Sequence, residues 1–65
     1  MRGMDIDRFK LKLALMKRGL TQVQVALENN YSKFWMTSMT SRGHISDAAI
    51  EVLAKYGITK EEISA

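Results

Sequence analysis

Few side chains in this sequence are equipped for covalent or metal chemistry. His44 is the single histidine and cysteine is absent, which argues against a disulfide, a thiolate site or a structural zinc site. His44, Ser46 and Asp47 have the types of a base, a nucleophile and an orienting acid. Three near neighbours on one loop, however, rarely project into the geometry that such a set needs. No Gly-rich phosphate loop and no metal-ligand spacing occurs. The chain therefore does not read as an enzyme, and no cofactor or metal is expected. What it does carry is the means to recognise another molecule. Lys33 can reach guanine acceptors or a phosphate, Phe34 can pack on thymine methyls, and Arg42 can clamp a phosphate. Thr37, Ser38, Thr40 and Ser41 add hydroxyls that bond phosphates or almost any base. Each also has a plainer reading: Lys33 and the hydroxyls as a solvated face, Phe34 as a buried ring.

The charge is uneven. The net charge is +3, and residues 1–35 carry seven Lys/Arg against three Asp/Glu while residues 36–65 carry three against four. A basic N-terminal half suits a polyanion without requiring one. No apolar run approaches the length of about 18 residues that spans a bilayer, and residues 1–7 lack the apolar centre of a signal peptide. The expectation is a cytoplasmic protein with no membrane contact. At 65 residues it is one domain, small enough that caps, tight helix packing or dimerisation must help to hold it.

The elements that would position these residues are read from capping signals. Thr21 with Gln24 forms a capping box, with Leu20 and Val25 as its hydrophobic staple, and Ser32 repeats the signal with Tyr31 and Met36. Between them Asn30 is suited to the left-handed turn that reverses a chain between helices. Asp5 reads as the cap of a first helix, with Met4 and Phe9 as its staple. Ser46 opens a fourth helix, and Thr59 with Glu62, flanked by Ile58 and Ile63, opens a fifth. The helices expected are about 6–18, 22–29, 33–41, 47–56 and 60–64: an all-α, compact five-helix domain.

The first helix has two apolar stripes. Ile6, Phe9, Leu13, Met16 and Leu20 make one, and Leu11, Ala14 and Leu15 make another on nearly the opposite side. A surface helix normally buries one face. Either the other helices wrap it, or one stripe meets a partner. Phe34, Trp35 and Met36 are consecutive, so at least one of these aromatics should be exposed.

Gly19-Leu20-Thr21-Gln22, then Val25-Ala26, Tyr31-Ser32, Met36, Met39 and Ile50-Leu53-Ala54-Lys55-Tyr56-Gly57-Ile58 resemble the phage repressor and Cro-like (Xre-type) helix-turn-helix family. The resemblance covers about residues 8 to 64 and implies a lambda-repressor-like five-helix fold. It implies a small transcriptional regulator, of phage or mobile-element origin, that binds double-stranded operator DNA as a homodimer. Under it, the helix at 33–41 enters the major groove. Ser32, Lys33, Phe34, Thr37 and Ser38 would face the DNA, Gln22 would contact a phosphate, and Arg42 and His44 would sit beside the backbone. Ala26 would let helices two and three approach closely. The chain departs from the family pattern at Asn29, Asn30, Leu15 and Thr40, and its third helix has no internal Gln, Asn or Arg, the residues that read adenine and guanine edges. The alternative is a protein-interaction module on the same fold, an antirepressor or a partner of another regulator. It would use Phe34, Trp35 and the second face of helix one through Leu11 and Leu15.

Overall fold

In the computed structural model, residues 3–65 are described. The order of elements is β1 (Met4–Asp5), α1 (Arg8–Lys17), α2 (Gln22–Glu28), α3 (Trp35–Arg42), β2 (His44–Ile45), α4 (Asp47–Lys55) and α5 (Lys60–Ile63). Five helices are expected and five form, although α1 and α3 each start two residues later than expected. The two short strands are not expected, and they move the start of the first helix. Met4 pairs with Ile45 and Asp5 with His44 in an antiparallel ribbon, and Ile6 bridges to Ser64. Residues 4–6 are therefore extended, and Asp5 is not the cap of α1. Asp7 is: its carboxylate accepts the Phe9 and Lys10 amides at 2.9 and 3.1 Å. Gly3 belongs to the same ribbon at φ +92, and a Cβ there would stand 2.0 Å from the Ile45 carbonyl oxygen. Only glycine fits that approach.

The local caps at Thr21, Ser46 and Thr59 are in place, accepting the amides of Gln24, Ala49 and Glu62. The return half of the Thr21 box is not: the Gln24 side chain donates instead to Glu28 at 3.3 Å. At α5 the Glu62 carboxylate is held by the Thr59 backbone amide and by Arg18 together. Ser32 does not cap α3. Its carbonyl closes a turn onto the Trp35 amide, so the helix begins at Trp35, with Lys33 and Phe34 on the turn before it. Asn30 does take the left-handed conformation, at φ 66.

The core is built from Leu11 and Leu15 of α1, Val25 of α2, Met36 of α3, Ile45, Leu53 of α4 and Ile63 of α5, with Ala26 and Ala49 fully buried where helices come close. Ile58 and Ile63, the expected staple of α5, are both buried. Among the described residues Thr40 is the one buried polar side chain, and its hydroxyl donates back to the Met36 carbonyl at 2.8 Å.

Of the two stripes on α1, the one bearing Leu11, Ala14 and Leu15 faces inward. The other helices wrap this stripe, so Leu11 and Leu15 are core residues, which removes them from the surface that the protein-interaction alternative assigned to them. Phe9 and Met16 point outward, so Phe9 forms no staple with Met4. Arg18 explains the choice. It continues the inner stripe one turn on, and its guanidinium donates to the carbonyls of Ala14, Tyr56 and Gly57 and forks onto both oxygens of Glu62 at 3.1 Å. This ties the end of α1 to the end of α4 and to α5.

Two outcomes follow. Leu11→Ala should cost about 2–5 kcal/mol in chemical denaturation, whereas Phe9→Ala and Met16→Ala should stay within about 0.5 kcal/mol of the parent. The hydrogen bonds from Arg18 hold the Glu62 carboxyl below its ordinary value of 4.5. A carboxyl depressed in the folded state stabilises the fold above its unfolded pKa, and that contribution is lost as pH falls through the folded value. Melting curves should show Tm dropping on acidification below pH 4.5, and Glu62→Gln should lower Tm at neutral pH and flatten that acid limb.

Candidate nucleic-acid interface

α3 has an inner and an outer arc. Met36, Met39 and Thr40 face the core, while Thr37, Ser38, Ser41 and Arg42 are exposed. The inner arc falls at the helical spacing that packs one side and frees the other. Thr40 is thus removed from the set of surface hydroxyls. Phe34 extends the outer arc at its leading end and is 62% exposed, with the Lys33 ammonium 5.2 Å from its ring centroid. A cation over a ring face is a favourable pairing, so the first turn of this arc presents charge and an apolar surface side by side.

Trp35 is placed differently from its neighbour. It is half-buried against the core, and the Tyr31 ring stacks on it at 3.7 Å with the planes 4° apart. Of the aromatic run, Phe34 is the exposed member. Trp35 with Tyr31 stiffens the turn that leads into α3.

The turn itself is held by Asn29. Its side-chain amide donates to the Val25 carbonyl at 2.8 Å and to the Tyr56 hydroxyl at 3.1 Å, and its oxygen accepts from the Lys55 ammonium at 3.2 Å. The Tyr56 hydroxyl donates to Glu28 at 2.7 Å. That bond to a carboxylate, with burial, pushes the Tyr56 phenol above its ordinary value, partly offset by the Asn29 amide. The departure at Asn29 is therefore a structural latch joining the end of α2 to the end of α4.

The remaining expected residues divide. Gln22 opens α2 and is half-buried at the edge of a hollow whose walls include Arg8, Phe9, Lys12, Thr37 and Ser41. It shares that hollow with Thr37 and Ser41 of α3. Ser32 and Lys33 are exposed on the turn, and Arg42 on the last turn of α3. His44 lies on β2, with Nδ1 2.9 Å from the Asp5 carboxylate, rather than on a free loop. Ser46 caps α4 and Asp47 accepts the Gly3 amide at 3.0 Å, so each member of the His44, Ser46 and Asp47 set has its own structural engagement. Two cations escape a reading based on the helix-turn-helix alone. Arg8 reaches the Ser41 carbonyl at 3.5 Å, and Lys12 shares the hollow with Thr37. Their spacing of one turn along α1 is the signal that was available. Neither α1 nor α3 carries an acidic side chain, so the carboxylate in the hollow beside the outer arc is that of Asp7, the cap of α1.

If Asn29 fixes the turn, Asn29→Ala and Tyr56→Phe should each cost about 0.5–1.5 kcal/mol, the net worth of a typical hydrogen bond. The double variant should cost less than the two added together, since both remove the same bond. Urea unfolding of the four proteins in this cycle measures it.

Comparison of the chain with protein-family models, with curated proteins and with solved structures finds no match, and among the described residues no helix is long and apolar enough to cross a membrane.

Proposed function

We propose that this chain is a small transcriptional regulator of the phage repressor and Cro-like kind, with a lambda-repressor-like fold, that binds double-stranded operator DNA in the cytoplasm. α3 docks in the major groove. Phe34 packs on thymine methyls, Lys33 bonds guanine acceptors or a phosphate, and Thr37, Ser38 and Ser41 bond bases and backbone. Gln22 and Arg42 hold phosphates on either side. Because the outer arc has no side chain that reads a base in bidentate fashion, part of the specificity comes from DNA shape. A homodimer on DNA reads two half-sites about one helical turn apart.

The observation that carries this reading is the division of α3. A helix with Met36 and Met39 locked in the core presents an arc that runs from Phe34 to Arg42, with Lys33 at one end and no carboxylate along it. Such an arc fits a groove lined with phosphates and gives up no buried contact on docking.

Selection of bound sequences from a random DNA pool should return a palindromic consensus. Affinity should fall steeply with salt, and Arg42→Ala should reduce the slope of log K against log salt by about 0.9, as one phosphate contact is lost. Phe34→Ala should change the consensus while leaving that slope unchanged. A gel-shift series with no binding at low salt overturns the reading.

A further inference from the structure

The outward face of α1 is apolar and basic together. Phe9 is 76% exposed, Leu13 45% and Met16 71%. Arg8, Lys12 and Lys17 stand exposed among them, and the helix carries no acidic residue. Two hollows run along this face. One, of about 730 Å³, lies between the first turn of α1 and the middle and last turn of α3. The other, of about 300 Å³, lies where α1 meets the start of α2 and is walled by Met16, Leu20 and Val23. Lys12 and Gln22 line both, so the two adjoin along a shallow trench. Asp7 on its wall is spent on capping α1. Large exposed apolar side chains rimmed by charge mark a contact surface.

The chemistry of the trench selects its occupant. A second copy in a symmetric pair would set this patch against itself and bring the Arg8, Lys12 and Lys17 rims together, like charge on like. A bilayer would meet a face interrupted by Gln22, Thr37 and Ser41, polar side chains that an acyl layer leaves without partners. An amphipathic helix with an acidic rim meets every feature. Its apolar side chains enter the hollows, as in other helix-in-groove complexes, and its carboxylates meet the cations of α1. We propose that the outward face of α1 is the docking groove for an acidic amphipathic helix of a partner protein. The groove is independent of the DNA reading. If that reading holds, the occupant also excludes DNA, because Thr37 and Gln22 line both surfaces.

The test is a titration of the ¹⁵N-labelled chain, without DNA, with a synthetic helical peptide bearing Leu at i, i+3, i+4 and i+7 and Glu elsewhere. Parallel titrations use the same peptide with Lys for Glu, and phosphatidylserine vesicles. The Leu/Glu peptide should shift the amides of Phe9, Lys12, Met16 and Val23. Its affinity should fall on the order of tenfold in Met16→Ser and in Lys12→Glu, with both variants melting as the parent does. No binding, equal binding of the Lys peptide, shifts confined to another face, tighter binding to vesicles, or self-association through Met16 overturns the proposal. Added to the DNA complex, the peptide should release the duplex. A stable ternary complex overturns the exclusion alone, and absence of DNA binding overturns the DNA reading alone.

Discussion

The Arg18 guanidinium is the interaction on which the arrangement depends. It gathers the carbonyls of Ala14, Tyr56 and Gly57 and both oxygens of Glu62. The last carbonyls of a helix need partners, and a planar guanidinium with fixed donors can serve several at once. Turning α1 to bury Phe9 and Met16 would carry Arg18 away from the end of α4 and take its donors from the Tyr56 and Gly57 carbonyls and from Glu62. The inner stripe is therefore set by a polar contact at the end of the helix as much as by leucines along it. A face rich in large apolar side chains is left outside as the result.

A second constraint is the extended segment before α1. Residues 4–6 lie between β2 on one side and Ser64 on the other, and the Asp7 amide donates to the Ile63 carbonyl at 2.9 Å. The Ile6 amide donates to the Gly43 carbonyl, where Gly43 ends α3 in a left-handed conformation at φ 73. One short stretch thus fixes where α3 stops and where α5 lies. It places α3 at a defined angle to α1, which is what makes the trench between them.

The sequence made the helices legible because their signals are local. Thr21, Ser46 and Thr59 cap within three residues, and the left-handed Asn30 needs only its own backbone. What was not legible depends on distant partners. Nothing near Leu11 tells whether it or Met16 is buried, since the answer lies with Glu62 and Tyr56. Two-residue strands leave no periodicity, so Asp5 read as a cap while it pairs with His44. Asn29 stood out only as a departure from the family pattern because Tyr56 and Lys55, far along the chain, give it its role. On the candidate interface, the exposure of Phe34, Thr37 and Ser38 agrees with their spacing on one arc. The contributions of Arg8 and Lys12 required the packing of α1 against α3.

The Asn29 latch also bears on motion. The turn between α2 and α3 is bonded to the end of α4 through Tyr56 and Lys55, so the turn cannot open while α4 stays docked. Proteins exchange their amide hydrogens through cooperative units that open together. Here the bonds of Asn29 join α2, its turn and the last turn of α4 in one connected set of contacts. The two-helix motif is mechanically inseparable from a helix outside it, and its rigidity is a property of the whole chain.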